Sequence, residues 1–263
     1  MKNSIVLIIL LLLVASVNAQ FLPGDVGFNA NEYTLYKKNK VNAVKITVYD
    51  SEGYLGELQT NYYDTEGKLQ KVVYDMASDF EDSEQESPMN DVFIYNKESN
   101  VSQINMNGYD MMEIQVGFEY KKGKLEKSFV SGAEAREYSY VYDKSEHIIE
   151  KIGNAMNFEV DDEGNSTDKM VMTEVEKSVY TWDKNGNLID ETFYMYGEFF
   201  FKTIYNYNKE GMLVSYNRYY DPTNLSTPSF KMVFEFNDKG LPIKSVAEED
   251  GIMLINQYTY TFY

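Results

Sequence analysis

The sequence predicts an all-β fold, in which consecutive antiparallel β-hairpins form one long twisted or curled repeat sheet. Three observations predict it: a short turn motif recurs along the chain, aromatic residues alternate with polar ones before each turn, and the composition favours strands. The chain contains 24 Tyr and 15 Phe against one Trp and one His. Tyr and Phe favour strands because their large rings fill a pleated, half-buried surface.

The first residues have the pattern of a secretory signal peptide. Lys2 gives a positive start, residues 5–14 are uniformly apolar, and Val17-Asn18-Ala19 offers small side chains for cleavage near Ala19. The apolar run is too short for a membrane-spanning helix, which needs about 20 apolar residues. We therefore expect residues 1–19 to be removed and the remainder to be exported to the periplasm, the cell surface or the medium.

Two further segments are distinguished by their composition. Residues 20–43 form an N-terminal segment, and the β-hairpin repeat domain covers residues 44–263. Within that domain, residues 75–91 (DMASDFEDSEQESPMND) carry seven acidic residues and no basic one. A stretch of this composition is predicted to be a solvated acidic loop between two structured parts.

The chain as a whole is strongly acidic. Its formal net charge is −18, from 42 acidic and 24 basic residues. Such a surface repels the phosphates of nucleic acids and the headgroups of anionic lipids. We therefore expect no nucleic-acid partner and no anionic membrane surface, and we interpret the charge as a device for solubility.

The turn motif occurs in nine copies: an aromatic residue, Asp or Asn, two polar residues, Gly, any residue, then Leu or a relative. The copies are VYDSEGYL (48–55), YYDTEGKL (62–69), IYNKESNV (94–101), EYKKGKL (119–125), VYDKSEHI (141–148), EVDDEGN (159–165), TWDKNGNL (181–188), NYNKEGML (206–213) and EFNDKGL (235–241). Asp or Asn accepts a hydrogen bond from a backbone amide two or three residues later. Gly supplies the positive φ of a type I turn followed by a bulge. The motif predicts β-hairpins, with Glu146 or Ser99–Asn100 replacing Gly in two copies and one shorter copy at Lys121–Gly123.

Aromatic residues alternate in the strand that enters each turn. A period of two places all of these rings on one face of the sheet. The pairs are Phe93/Tyr95, Phe118/Tyr120, Tyr140/Tyr142, Tyr180/Trp182, Tyr205/Tyr207 and Phe234/Phe236. Such a sheet must curl on itself, wrap another layer or leave one aromatic face open, and the pattern leaves these three outcomes open.

The core Tyr-Asp-x-x-Gly-x-Leu, present as YDSEGYL (49–55), YDTEGKL (63–69) and WDKNGNL (182–188), resembles the YD (Rhs-type) repeats of bacterial secreted and cell-surface proteins. The chain is also similar to short exported repeat proteins of Bacteroidetes-type bacteria. The resemblance covers most of residues 44–263. It implies a bacterial exported protein built from β-hairpins, and it carries over no catalytic residue, because these repeats have none.

Residue types that catalyse reactions or bind metals are scarce. With no Cys and with His147 as the only histidine, the sequence excludes two-histidine zinc sites and Cys-bound metals. His147 is expected to be an exposed turn residue. Asp161, Asp162 and Glu163 could bind calcium, yet ordinary turn chemistry is the better interpretation. We predict no catalytic residue, no metal site and no cofactor.

Two aromatic segments, residues 192–202 and 216–221, carry more rings than one buried face needs. Exposed rings outside the alternating ladder can stack on sugars or grip a peptide. Trp182 occupies a ladder position and is predicted to belong to the core. The predicted ligand-binding residues are Tyr194, Tyr196, Tyr219 and Tyr220.

The sequence therefore predicts an exported, non-enzymatic β-repeat protein that acts as a binding or scaffold module at the cell envelope. Its partner would be a glycan or a protein, and its oligomeric state is left open. Two alternatives remain. One is a carbohydrate-active hydrolase with paired carboxylates, a pairing that 42 acidic residues also produce by chance. The other is an outer-membrane β-barrel, since the last residues alternate and end on an aromatic one, although charged residues recur through the candidate strands.

Overall fold

A computed structural model describes residues 28–76, 89–98, 100–109, 112–131, 135–160 and 166–263. These residues form one α-helix and sixteen β-strands. The helix is α1 (Phe28–Asn39), and the strands are β1 (Val41–Asp50), β2 (Leu55–Tyr63), β3 (Leu69–Met76), β4 (Met89–Tyr95), β5 (Val101–Tyr109), β6 (Met112–Lys121), β7 (Lys124–Val130), β8 (Arg136–Tyr142), β9 (Ile148–Val160), β10 (Ser166–Trp182), β11 (Leu188–Met195), β12 (Glu198–Tyr207), β13 (Leu213–Tyr219), β14 (Phe230–Phe236), β15 (Pro242–Glu249) and β16 (Ile252–Phe262). The predicted signal peptide lies outside the described residues.

The sheet closes into a barrel. Each strand pairs antiparallel with its neighbours in the chain, and β1 pairs with β16 in a register that joins Val44 to Tyr260 and Asp50 to Leu254. The predicted all-β meander of hairpins is confirmed. Of the three outcomes that the pattern left open, the structure adopts the first: the sheet curls on itself, which removes its free edges.

Most copies of the turn motif lie at one end of the barrel, which we call the motif end; the opposite end is the distal end. The described motif-end turns of this type begin at Asp64, Asn96, Asp143, Asp183, Asn208 and Asn237. In the fourth, Asp183 Oδ1 accepts hydrogen bonds from the amides of Asn185 and Asn187 at 2.8 and 2.9 Å. Gly186 follows with φ +81°, and the register then shifts between Thr181 and Trp182. The predicted turn and bulge are confirmed.

Three copies depart from the consensus in the sequence, and two of them lie fully within the described residues, since Ser99 of the third lies outside them. Glu146 adopts φ +69° where other copies have Gly, a conformation that costs a residue with a Cβ some stability. In the short copy Lys122 and Gly123 have φ of +54° and +79°, as in a two-residue type I′ turn. The copy at 159–165 extends beyond the described residues.

Successive hairpins are connected by aromatic rings near the motif end, four of which precede motif turns and one of which, Tyr260, lies on β16. Each polar tip donates a hydrogen bond to the backbone carbonyl at the start of the return strand in the preceding hairpin. The bonds run from Tyr95 Oη to Leu69 O (2.6 Å), Tyr142 Oη to Leu125 O (2.7 Å), Trp182 Nε1 to Ile148 O (2.7 Å), Tyr207 Oη to Leu188 O (2.9 Å) and Tyr260 Oη to Pro242 O (2.6 Å). One sequence motif therefore supplies both the turn within a hairpin and the bond between hairpins.

The two faces of the barrel wall differ in polarity. The ladder rings and motif leucines pack on the inner face in three apolar clusters. On the outer face lysines pair with acidic residues of the adjacent strand: Lys127–Glu137 (2.6 Å), Lys177–Glu150 (3.0 Å), Lys202–Asp190 (3.2 Å) and Lys244–Glu235 (3.3 Å). Each of these lysines precedes a buried hydroxyl residue that points inward, namely Ser128, Ser178, Thr203 and Ser245. Strand alternation therefore places the ladder rings inside and these ion pairs outside.

Helix α1 lies at the motif end. Tyr36 is buried, and its ring meets that of Tyr63 edge-on at 4.6 Å between centroids. Lys37 forms an ion pair with Glu66 in the turn between β2 and β3. Within the described ranges no helix combines the length and the apolar character that a bilayer crossing requires.

The acidic stretch at residues 75–91 is only partly a connection. Residues 75–76 complete β3 and residues 89–91 begin β4, while residues 77–88 lie outside the described part of the chain. The prediction that residues 75–91 form a solvated loop is wrong at Asp91, because its side chain is only 4% exposed and points inward. Tyr74 Oη donates a hydrogen bond of 3.0 Å to Asp91 Oδ2, which makes Asp91 part of the interior.

Candidate functional site at the motif end

The four tyrosines predicted to bind a ligand lie at the distal end. Tyr194 is half-buried and meets Phe199 edge-on at 6.4 Å, whereas Tyr196 in the β11–β12 turn is 70% exposed. Tyr220 is 36% exposed, and its Oη donates to Glu249 at 3.3 Å. Tyr219 is only 6% exposed, so the expectation of an exposed ring is wrong at that position. The assignment of a ligand to these tyrosines stays a prediction.

The barrel has a concave opening at its other end. A cavity of about 1050 Å³ separates α1 from the hairpins β10–β11, β12–β13 and β14–β15. We call it the mouth cavity and define it by Leu35 and Tyr36 on α1 and by Trp182, Tyr207 and Phe236 on the wall. Its volume lies just above the range of about 300–1,000 Å³ that is typical of small-molecule sites.

Three rings of the mouth cavity occupy equivalent positions in successive hairpins. Trp182, Tyr207 and Phe236 each end the strand that enters a motif turn, on β10, β12 and β14. The polar tips of Trp182 and Tyr207 are used by the bonds between hairpins, and Phe236 has none. These rings therefore offer hydrocarbon surface to a ligand, and the polar contacts must come from other residues.

The polar part of the lining comes from the turns and from α1. Asn185, Asn187, Asn206 and Asn208 contribute amides. Four charged residues line the cavity: Lys38, Lys209, Asp183 and Glu210. Their formal charges sum to zero. Neutrality at this opening contrasts with the net charge of −18 on the whole chain.

Asp183 is fixed by its turn. Hydrogen bonds from the backbone and then the side chain of Asn187 hold the pKa of the Asp183 carboxyl below its usual value. Asn187 Nδ2 donates to Asp183 Oδ2 at 2.9 Å, so both carboxylate oxygens are engaged. This carboxylate is therefore a structural acceptor and not one prepared for proton transfer.

A buried polar network lies beneath the mouth cavity. Glu191 accepts hydrogen bonds from Ser178 Oγ at 3.1 Å and from Tyr205 Oη at 3.2 Å. Burial raises the pKa of the Glu191 carboxyl, although the nearby Arg218 guanidinium opposes the shift. Tyr205 also lines the mouth cavity, so this side chain takes part in both the cavity and the network.

The second inward-facing acid of this wall is too far away to act with Glu191. Glu176 accepts from Tyr138 Oη at 2.9 Å and pairs with Arg136 Nε at 3.1 Å. The β10–β11 register sets Glu176 opposite Met195 and Glu191 opposite Tyr180, a separation of four residues or about 13 Å along the strands. Glycosidase carboxylates are about 5–9.5 Å apart. These two acids therefore do not form the pair that the hydrolase alternative requires.

His147 is placed differently from the expectation of an exposed turn residue. Its ring is half-buried and stacks on Trp182 with centroids 4.9 Å apart and planes inclined by 17°. Its Nδ1 lies 3.5 Å from Asp143 Oδ2. One face of Trp182 is thus covered by His147. Across the described residues no cluster of three His or acidic side chains could hold a metal ion, and Asp161, Asp162 and Glu163 lie outside those residues.

The mouth cavity was not predicted from the sequence, in which Trp182 was assigned to the core and no local pattern places a helix beside the motif turns. Trp182 does pack against the core cluster of Ile148, Tyr180 and Leu188, yet it is only half-buried and also lines the cavity. The missing information was closure of the sheet, which brings α1 beside the turns of β10–β15. The only available signal was the N-terminal segment at residues 20–43, which is long enough for a helix.

Fold and site together define a closed, 16-stranded antiparallel β-barrel with an aromatic inner face and a ligand-sized opening at one end. No family model matches the chain, and no similar sequence was found among the curated proteins. Among solved structures, the barrel is similar to a porin-like protein from Bacteroides uniformis, with a TM-score of 0.52 and 7% identity. That match covers 84% of this chain and 98% of the other.

Two other structural matches are weaker. A porin-like protein from Bacteroides vulgatus aligns with a TM-score of 0.43 and 15% identity, over 84% of this chain and 98% of that one. A Photorhabdus luminescens Tc holotoxin pore structure aligns with a TM-score of 0.30 and 13% identity, over 76% of this chain and 13% of that one. Likenesses at these scores carry no argument, and the resemblance to YD repeats stays a prediction.

Proposed function

We propose that the protein is an exported binding module, a water-exposed β-barrel that holds an organic ligand in the mouth cavity. The observation that carries this proposal is the cavity of about 1050 Å³ lined by aromatic side chains and turn amides. Concave, largely apolar sites with a few polar groups are the usual form of small-molecule sites. Export rests on the signal-peptide pattern of residues 1–19.

Exposure of the outer face to water is supported by its ion pairs. The four lysines that form them lie on β7, β10, β12 and β15, which span half of the barrel wall. On the lipid face of a membrane barrel, a Lys at the bilayer midplane costs about 2–4 kcal/mol. An outer-membrane barrel is the second candidate, because closure satisfies the backbone groups that lipid cannot. The charged outer face argues against it.

Trp182 makes the proposal testable by fluorescence, because it is the chain's only tryptophan and lines the mouth cavity. We expect Nile red, an uncharged aromatic probe, to bind the mature protein and to quench Trp182 emission. Thr34→Tyr adds bulk to the α1 side of the cavity and should weaken this quenching at least tenfold. Thr192→Tyr, on the wall away from the cavity, is the matched control and should leave it unchanged.

The quenching experiment distinguishes a site in the mouth cavity from binding elsewhere. Quenching that saturates at one equivalent and is lost in Thr34→Tyr supports a site in the mouth cavity. A wild-type protein whose Trp182 emission responds to none of Nile red, oligosaccharides or fatty acids would contradict the proposal, as would equal quenching in Thr34→Tyr and Thr192→Tyr.

A further inference from the structure

We propose that the ligand of the mouth cavity is a neutral, linear oligosaccharide that lies across Trp182, Tyr207 and Phe236. This inference rests on the proposed function and names the chemical class of its ligand. Three observations carry it: the aromatic side chains that line the cavity, the regular spacing of the strands that bear them and the balanced charge of the lining.

The rings are prepared for stacking and not for hydrogen bonding. Trp182 Nε1 donates to Ile148 O and Tyr207 Oη donates to Leu188 O, so both polar tips are already satisfied. The stack of His147 covers one face of Trp182 and holds that ring in place. What remains is a fixed hydrocarbon surface, which matches the C–H face of a pyranose ring.

The spacing of the rings matches a chain of sugars better than a compact molecule. Trp182, Tyr207 and Phe236 are each two strands apart, and neighbouring strands are about 4.8 Å apart, so the rings recur about every 9.6 Å. The outer two are therefore about 19 Å apart. One disaccharide unit of an extended β-linked chain has about the length of one such step, so successive rings would meet equivalent faces of alternate sugars.

The polar lining favours a neutral ligand with many hydroxyls. The two lysines and two acids sum to zero, and Asp183 is occupied by its own turn. The side-chain amide of Asn185 lies among the motif turns that border the cavity, where it can donate and accept. Asn208 can donate through Nδ2, since its Oδ1 already accepts from the amides of Glu210 and Met212. A purely apolar ligand would remove these amides from water without replacing their hydrogen bonds.

A peptide fits this site less well. Extended peptides gain most of their affinity by adding a strand to a free sheet edge. The strands that border the mouth cavity, β10 to β15, are all paired on both sides within the closed barrel. The cavity therefore offers ring faces and side-chain amides but no backbone edge.

Calorimetric titration of the mature protein with cello-oligosaccharides of two to six sugars tests the inference. We expect affinity to rise with length until the chain spans the three rings and to change little beyond that. Trp182→Ala and Tyr207→Ala should each weaken binding at least tenfold, whereas Tyr207→Phe, which keeps the ring, should retain it within about threefold. Tyr142→Ala removes an equivalent ring outside the cavity and should leave affinity unchanged.

Circular dichroism of each variant establishes that it is folded before titration. Oligogalacturonates of the same length, which carry one carboxylate per sugar, should bind no tighter than the neutral chains. If Nile red quenches Trp182 but no cello-oligosaccharide binds, the inference is overturned while the binding function stands. Equal losses in Tyr142→Ala and Tyr207→Ala would also overturn it, because the effect would then be structural. Absence of every ligand contradicts both proposals together.

Discussion

Asp91→Asn is expected to stabilise the protein by about 3 kcal/mol at pH 8 and by almost nothing below pH 4. Asp91 is 4% exposed, and burial raises the pKa of its carboxyl from 3.8 to about 6. Its Oδ1 finds no hydrogen-bond partner within the described parts of the chain. A shift of about two pKa units corresponds to about 3 kcal/mol of differential stability.

The sign of this effect follows from proton binding. The folded state binds the proton of Asp91 more tightly than the unfolded chain does, so stability from this group is fully present below pH 3.8 and is lost as pH rises through about 6. Asparagine keeps an acceptor for Tyr74 Oη and carries no charge at any pH. Urea unfolding of both proteins between pH 4 and pH 8 measures the difference. A stability difference that is independent of pH would contradict a buried, ionising Asp91.

An opposite-sign control is available in the same protein. The pKa of Asp183 is held below its usual value by hydrogen bonds from Asn187. Asparagine occupies the same turn position at Asn208 and Asn237, so Asp183→Asn keeps the turn. The variant should be less stable than the wild type at neutral pH, and the two should converge as pH falls below 3.8, because only the wild type loses a charge there.

Gly153→Ala is expected to destabilise the protein by about 1–3 kcal/mol, the cost of overpacking a filled interior. A Cβ at Gly153 would lie 2.5 Å from Glu176 Cγ and 2.7 Å from Tyr138 Cε1. These two side chains cross over β9 and are joined by the hydrogen bond from Tyr138 Oη to Glu176. Alanine would push them apart and disturb the pairing of Glu176 with Arg136. Thermal unfolding of the purified variant measures the loss.

Gly117→Ala provides the matched comparison on the outer face. A Cβ there would lie 2.0 Å from Phe129 Cζ, an even closer approach. Phe129 is exposed, however, and can swing into water, so we expect a change within about 0.5 kcal/mol. If Gly117→Ala costs as much as Gly153→Ala, the assignment of inner and outer faces is wrong.

Local sequence determined much of the fold. Period-two aromatic residues and an Asp-x-x-Gly turn specify a strand, its turn and its inward face within about eight residues, so the hairpins at Asp64, Asp183 and Asn208 follow directly. The positive φ of Glu146 could be predicted in the same way, since Glu146 occupies the turn position that is Gly in other copies. Closure of the barrel could not be predicted from local sequence, because the pairing of β1 with β16 joins residues more than 200 positions apart. That pairing also depends on the accumulated twist of all the strands between them.

The candidate site depends on closure of the barrel, which the sequence does not predict. Exposure of Trp182 to a cavity requires α1 to lie beside the motif turns, which no local pattern indicates. Asp91 was assigned to a solvated loop because its neighbours in the sequence are acidic, yet it belongs to the inward face of β4. In both cases tertiary packing decided between two environments that the same local sequence allows.

The central claim is that the outer face of the barrel meets water while the inner face forms the core and the ligand site. Because the chain contains no cysteine, single substitutions report on each face separately. Lys202→Cys places a thiol on the outer face, and Thr203→Cys places one at a position that is 0% exposed. In detergent-free extracts we predict rapid reaction of Lys202→Cys with a water-soluble maleimide and protection of Thr203→Cys. A membrane-bound Lys202→Cys variant whose thiol reacts only after detergent is added would contradict the claim.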